Sequence, residues 1–425
     1  GRNALRVHEP KVSRKYRYVP LVIVENDGPE ANKIIYKQDP ADQVWKAEYV
    51  DGKAVTQEKP ADELVMAKVS TGGGHTLNLR ADGSVWSYGL NEYGQLGIDN
   101  GDLNGSVAGM DDPAEIHTYV WDEAAGTYVR EYMEVLSSDN ETIRKRSKAI
   151  FVDVSAGMDH SLLVDSEGNV WAAGRNNYGQ LGVQLPGGAD SLRYFVKVLD
   201  VATTPSLRGK KIVAVSAGDG YSLALASDGT VYGWGRNDKG QLGLHEYSDK
   251  VETPVKLAMN NVNSVSAGKD HTLFTMFDGN VYAVGSNEKG KLGVLTDDIP
   301  EGGSTPIPIF VANTGATIKA SAGNSHSLAV GYGRMVTSWG SNEDGRLGRE
   351  LTGEQTWTAT ADILPKIPST IMDVSAGGDH NLALEYNGVL YSWGNNRDGQ
   401  LGLGNSTTNL SILEPQANER YLMDA

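Results

Sequence analysis

The chain has 425 residues, 38 Lys+Arg against 54 Asp+Glu for a formal charge of −16, no cysteine, 39% apolar residues and 51 glycines. That acidity excludes the basic face needed to hold nucleic-acid phosphates; the missing cysteines exclude disulfide frameworks, thiolate metal sites and cysteine nucleophiles; and the apolar share is that of a folded protein rather than a disordered one. Length alone asks for two or three domains, and glycine at about 12% against a usual ~7% needs a reason.

The first 20 residues are mildly basic (Arg2, Arg6, Lys11, Arg14, Lys15, Arg17), and the chain starts at Gly1 without Met or a signal sequence, as expected for a mature chain or one cut from something larger. Arg17 to Val24 reads as a strand ahead of a first repeat. A hairpin follows, with Lys33-Ile-Ile-Tyr-Lys, a turn at Asp39-Pro40 and Gln43-Val-Trp-Lys-Ala-Glu-Tyr-Val, which carries Trp45.

One 27-residue pattern then recurs six times without a gap. It reads TGGGHTLNLRADGSVWSYGLNEYGQLG from Thr71, AGMDHSLLVDSEGNVWAAGRNNYGQLG from Ala156 and AGDGYSLALASDGTVYGWGRNDKGQLG from Ala217. It continues as AGKDHTLFTMFDGNVYAVGSNEKGKLG from Ala267, AGNSHSLAVGYGRMVTSWGSNEDGRLG from Ala322 and AGGDHNLALEYNGVLYSWGNNRDGQLG from Ala376. Five framework positions hold glycine in all six copies except at Arg334, whose glycine sits one residue earlier at Gly333. Glycine fixed at one offset marks a backbone need, either positive φ or close approach of another chain segment.

Each copy reads as β structure. In the third, Ser222-Leu-Ala-Leu-Ala and Thr230-Val-Tyr-Gly-Trp-Gly flank an Asp228-Gly229 turn, a hairpin signal. Lys211 to Ser216 is a further strand, and Tyr194 to Val198, Thr253 to Leu257 and Thr305 to Phe310 supply a fourth, upstream of the core that follows. Four antiparallel strands repeated six times describe the blades of a β-propeller. The longest linker, Ile98 to Ser155, holds a second inserted hairpin turning at Glu123 to Gly126, with Tyr119, Trp121, Tyr128 and Tyr132 on its strands. The one stretch with helical character is Asn140 to Lys148, and no apolar run is long enough to span a membrane. At the other end, Ser406 to Glu414 reads as a strand beginning another repeat. The expected organisation is 1–66 as a strand and inserted hairpin completing the ring, 67–415 as the repeats with an inserted hairpin at 114–135, and 416–425 as a tail.

The string [SA]-x-G-x-x-H-[ST]-L followed by G-x-N-x-x-G-Q-L-G resembles the repeat of the regulator of chromosome condensation family, most closely its bacterial repeat proteins. The resemblance covers Thr71 to Gly402 and implies an all-β propeller of that type with four-stranded antiparallel blades. Six copies predict six blades, and the resemblance adds the alternative of seven with one degenerate, because the family's members usually have seven. The family includes a guanine-nucleotide exchange factor for a small nuclear GTPase, a plant ultraviolet photoreceptor and a bacterial inhibitor of β-lactamases. The −16 charge argues against the chromatin-bound role. The photoreceptor's clustered tryptophans are not matched, since Trp86 and Trp171 occupy one offset and Trp234, Trp339 and Trp393 another.

His75, His160, His271, His326 and His380 share one offset, with Tyr221 in the sixth copy. A ring of metal ligands or bases is one reading. Scaffold residues, each donating to backbone within its own blade, is the favoured one, because Tyr221 is a poor substitute ligand. The recurring Asn91, Asn176, Asn237, Asn287, Asn342 and Asn396 suit side-chain-to-backbone turns. Asp297-Asp298 and Asn342 to Gly345 fall short of an EF-hand ligand set, and no phosphate loop, G-x-S-x-G or H-E-x-x-H is present. The expectation is therefore a non-enzymatic protein-binding scaffold without cofactor or metal, and without nucleic-acid or membrane partners. Its setting is expected to be a bacterial extracellular or surface protein, with a cytoplasmic one as the alternative. Projecting aromatics suit a protein contact, so Tyr119, Trp121, Tyr128, Tyr132, Trp45 and Trp357 are the candidate partner-binding residues. The other open readings are an exchange factor for a small GTPase and a carbohydrate or surface-polymer adhesin using Trp121 or Trp357. Asn104, Asn140, Asn405 and Asn409 stand in N-x-S/T sequences.

Overall fold

The computed structural model describes residues 66–98, 110–136, 143–297, 299–351, 357–403 and 411–418, together with the backbone of strands Leu21–Val24, Ile34–Gln38, Gln43–Val50 and Lys53–Gln57. Asn104, Asn140, Asn405 and Asn409 lie outside the described residues, as do the side chains of Trp45, Trp121 and Tyr132. Six four-stranded antiparallel blades of a β-propeller make up most of the chain. The described residues contain short 3₁₀ turns and no α-helix. Two compact units divide them: residues 1–176 with 185–213, and residues 177–184 with 214–425.

The first blade comprises Met66–Thr71, His75–Arg80, Val85–Gly89 and Met110–Glu115, and the second Phe151–Ala156, His160–Asp165, Val170–Arg175 and Ser191–Leu199. In both, the last strand pairs with the third strand of the core before it. The same holds for Ser304–Phe310 in the fourth blade and Trp357–Ile363 in the fifth. This corrects the phase read from sequence for Tyr194 to Val198, Thr253 to Leu257 and Thr305 to Phe310, which were assigned to the core that follows but pair with the third strand of the core before. A strand pairs with whichever edge the turn delivers it to, and sequence proximity to two cores leaves that choice open. The same correction settles the blade count. Ser411–Ala417 does not begin another repeat; it pairs with Leu390–Asn395 and completes a sixth blade. Leu21–Val24 likewise joins no repeat, pairing instead with Ile34–Gln38 of the N-terminal hairpin.

The stretch with helical character is also a strand. Ile143–Ser147 pairs antiparallel with Thr127–Leu136, with Lys145 in register against Glu134. Tertiary pairing overrides a weak local helix preference there.

Apolar side chains gather at the joints between blades. Leu77, Leu79 and Val85 of the first blade meet Phe151, Leu163 and Trp171 of the second. In the other unit, Leu223 and Val231 meet Phe274 and Val284, Leu273 and Val281 meet Ala329 and Trp339, and Leu328 and Val336 meet Ala383 and Trp393. A blade covered on both faces needs apolar residues on both, and the second strands of the fourth and fifth blades, His271–Met276 and His326–Gly331, are buried at every position but the last.

The recurrent glycine of G-x-x-H has its reason at these joints. A side chain at Gly268 would put a carbon 2.5 Å from the Gly323 carbonyl oxygen of the next blade and 2.9 Å from the His271 ring of its own. Gly323 repeats the geometry against Gly377 and His326. At the turn position where the fifth repeat breaks the pattern, Arg334 adopts φ +61, the left-handed conformation that glycine fills elsewhere.

Candidate interaction surfaces

The histidine offset is a joint between blades. Ser161 of the second blade donates from Oγ to the Gln95 carbonyl of the first at 2.7 Å, so its oxygen accepts from His75 Nε2–H at 2.8 Å. His271 repeats this with Ser327 at 2.9 Å, and Ser327 donates to the Lys291 carbonyl at 2.9 Å. His326 donates to Asn381 Oδ1 at 2.6 Å, and the Asn381 amide donates to the Arg346 carbonyl at 2.7 Å. Tyr221 takes the histidine's place in the third blade by donating its hydroxyl to the His271 carbonyl at 2.6 Å. The expectation that each ring donates to backbone of its own blade is corrected for His75, His271 and His326: the acceptor is a side chain of the next blade, which no local sequence signal could supply. Burial drives the imidazoles toward their neutral forms, His75 to about 4 and His326 to about 3. His380 is lowered for the same reason.

The tryptophans at the second offset complete the joint. Trp339 Nε1 donates to the same Lys291 carbonyl that holds Ser327, at 2.9 Å, and Trp393 to the Arg346 carbonyl at 3.1 Å. Trp234 donates to the Gln180 carbonyl at 2.8 Å. Each indole is fully buried, so its N–H requires such a partner. Trp171, at the other offset, donates instead to Asp165 of its own blade at 2.8 Å.

The loop after each third strand is built by its Asn and Gln. Asn91 Oδ1 accepts from Leu96 N–H at 2.9 Å, and Gln95 Oε1 from Tyr93 N–H at 2.9 Å. Asn237 and Gln241 repeat both bonds in the third blade. In the fourth and fifth blades the glutamine becomes Lys291 and Arg346, cations that cannot accept a hydrogen bond. They turn instead to carboxylates: Lys291 Nζ lies 2.5 Å from Asp270, and Arg346 lies 2.9 Å from Asp379. Both cations are buried. The sequence reading passed over them, although their departure from Q-L-G was the available signal.

Beside these loops, Asn177, Tyr178, Arg236, Asp238, Asp249 and Lys250 line a shallow cleft of about 400 Å³. Arg236 is neutralised there, its Nε 2.7 Å from Asp238 and Nη1 4.0 Å from Asp219, so it offers no free cation to an anionic ligand. Among the described residues no group of three or more His, Asp or Glu is placed to hold a metal, and no helix is long and apolar enough to cross a membrane.

The inserted hairpin, Thr118–Asp122 with Thr127–Leu136, turns at residues 123–126 and adds to the second blade, its first strand running parallel to Ser191–Leu199. Its aromatic face is partly used up in that docking. Tyr119 is buried with its ring centroid 4.5 Å from that of Tyr194, and half-buried Tyr128 is 6.0 Å from the same ring. Trp121 stands in register with Tyr128, and Tyr132 lies further along the same strand. The alternate positions point the other way: Val120 and Val129 are register partners, 40% and 42% exposed. Trp45 lies in Gln43–Val50, which pairs with Ile34–Gln38. Half-buried Trp357 opens the last strand of the fifth blade opposite Ser341. The six candidate residues therefore fall in three places: the hairpin, the N-terminal strands and the edge of the fifth blade.

Blades joined by side-chain-to-carbonyl links, each carrying its own N-x-x-G loop, define a propeller whose repeats are its framework and whose insertions are its variable part. Residues 43–423 match the model of the RCC1-like domain, and the chain belongs to that family. It is 25% identical over 373 residues to a bifunctional serine/threonine-protein kinase/NEDD4-like E3 ubiquitin-protein ligase of Dictyostelium discoideum, covering 84% of this chain but 17% of that protein. It is 26% identical over 396 residues to the guanine nucleotide exchange factor SRM1 of Saccharomyces cerevisiae, covering 76% of this chain and 78% of that one. The chain spans less than a third of the length of the first curated relatives it matches. The crystal structure of Prp20p from Saccharomyces cerevisiae superposes with a TM-score of 0.65 at 24% identity over 84% of this chain and 78% of that one, a likeness of fold.

Proposed function

We propose that the protein is a non-enzymatic, protein-binding propeller whose partner docks on the inserted hairpin. The observation that carries this reading is the division of labour on that hairpin. Tyr119 and Tyr128 anchor one face on Tyr194, while Val120 and Val129 stay outward beside an exposed turn. A rigid ring that presents a pinned, half-apolar strand pair offers a preorganised contact. Tyr119 and Tyr128 then act as supports, and Trp121 and Tyr132 are assigned to the same element. The bacterial, extracellular or surface setting belongs to this proposal and is decided by fractionating cells that express the full protein. The test is affinity capture from the source organism with the intact chain, Val120→Glu/Val129→Glu and a deletion of 114–135. The expected result is at least one partner lost in both variants; identical captured sets would refute the hairpin as the contact.

Exchange activity on a small GTPase is the second reading, favoured by the match to about three quarters of both this chain and the exchange factor SRM1. Release of labelled GDP from a panel of the organism's small GTPases separates the two, and no acceleration by the intact chain removes it.

A further inference from the structure

The turn between the second and third strands carries a residue outside the glycine framework. It is Ala81, Ser166 and Ser227 in the first three blades, but Phe277, Tyr332 and Tyr386 in the last three. These three aromatics are 55%, 54% and 62% exposed. Their backbones are held alike, since Phe277 N–H donates to the Asn261 carbonyl, Tyr332 N–H to Ala316 and Tyr386 N–H to Thr370. The first two of these turns are also tied to each other: Thr317 N–H donates to the Gly279 carbonyl of the Phe277 turn, and Ala316 next to it holds Tyr332. On the other side, the Phe277 ring edge lies 3.0 Å from where a Gly229 side chain would begin, so it leans over the turn of the third blade. The three aromatics thus form a row, one per blade, on fixed turns.

The ionic side chains on these turns are few and of both signs: exposed Asp278 follows Phe277, Arg334 lies in the Tyr332 turn, and buried Glu385 precedes Tyr386. Exposed Asn260, Asn261, Asn313 and Asn387 stand beside it, along with Ala, Gly and Ser. The Asp278 carboxylate is turned to Asn280 at 2.9 Å, and Lys366 is ion-paired with Glu414 at 2.5 Å. A face whose few charges offset one another has little net field to steer or hold an ionic partner. What it does offer is a set of flat rings with electron-rich faces beside amides that both donate and accept.

We infer that this row is a binding site for a neutral polysaccharide. The C–H faces of pyranose rings spaced along one polymer chain would stack on Phe277, Tyr332 and Tyr386, and their hydroxyls would bond the flanking asparagine amides. A polymer matches the site because both repeat: one platform per blade meets a ligand whose stacking faces recur at a regular interval. This goes beyond protein binding, uses none of the hairpin residues, and places the site on the fourth to sixth blades.

The test is affinity electrophoresis of the intact chain through gels containing soluble laminarin, xyloglucan or galactomannan, with alginate as the anionic control. Expected is retardation by at least one neutral polymer, none by alginate, and at least a tenfold weaker interaction for the Phe277→Ala/Tyr332→Ala/Tyr386→Ala variant. Circular dichroism and Tm verify that this variant is folded, and Val120→Glu/Val129→Glu is expected to bind polymer like the parent chain. No retardation by any neutral polymer, or retardation unchanged in the triple variant, overturns the proposal. Loss of a captured protein from the triple variant without any polymer binding overturns it in favour of a protein-docking face.

Discussion

A histidine that stays neutral inside a blade joint makes stability depend on pH in a direction that can be worked out. In the unfolded chain an imidazole protonates near 6.5. In the folded chain burial pushes His75 down to about 4 and His160 and His326 to about 3, with the His75 imidazole adding to the shift at His160. Between those limits the unfolded chain binds more protons, so stability is complete above about pH 6.5 and is lost as pH falls toward 4 and then 3. Each such histidine contributes a slope of ~1.4 kcal/mol per pH unit inside its window. Scanning calorimetry is expected to show Tm declining already between pH 6.5 and 5, above the range where ordinary carboxylates titrate. A flat Tm over that interval would contradict the neutral-histidine joint. The offset of these residues was legible in the sequence because G-x-x-H is a local spacing, fixed by a ring lying over its own glycine. The acceptor was not legible: Ser161 stands 86 positions from His75, and only the fold brings them together.

At the scale of strands and loops, local signals are legible in the sequence and pairing choices are less so. The second and third strands of every core carry turn residues and alternation within a few positions, and the inserted hairpin announced its turn in the same way. The last strand of each blade has two possible neighbours, and Ser411–Ala417 shows that the earlier one wins. Of the candidate contact residues, Tyr119 had all the marks of an exposed aromatic, yet it is buried, because Tyr194 comes from a strand 75 residues away. The loop glutamine makes the clearest case of a substitution that carries its own compensation. Lys291 enters the fourth blade together with Asp270, and both side chains are buried. Asp270→Asn removes the partner of a buried ammonium and is expected to cost about 3 kcal/mol, the low end for a broken buried pair. The low end applies because the Asn324 carbonyl at 3.3 Å and Glu288 at 3.8 Å remain. Adding Lys291→Gln restores the residue that closes the same loop in the first three blades, so the double variant should return to within ~1 kcal/mol of the parent chain. Urea unfolding of both single variants and the double reads the coupling directly. Additive losses would show that the two residues act independently.

For the molecule as a whole, length is a count of repeats. The two or three domains that 425 residues would ordinarily imply are instead six copies of one four-stranded blade. The net charge acts at this scale too, because the long-range field sums over all surface groups whatever the local pairing. Non-specific duplex binding draws its affinity from cations that displace counterions from phosphate, and it ordinarily lies at about 10⁻⁴–10⁻⁶ M at physiological salt. Here 54 acidic residues face 38 basic ones. Two cations that the sequence leaves unassigned, Lys291 and Arg346, are buried against carboxylates, and Arg236 is neutralised in its cleft. The mildly basic first 20 residues are too few to reverse that balance. Fluorescence anisotropy with a labelled duplex of about 30 base pairs should therefore show no complex at about 10 μM protein and physiological salt. Binding that weakens steeply as salt is raised would place a usable basic surface on this chain and overturn the exclusion drawn from its charge.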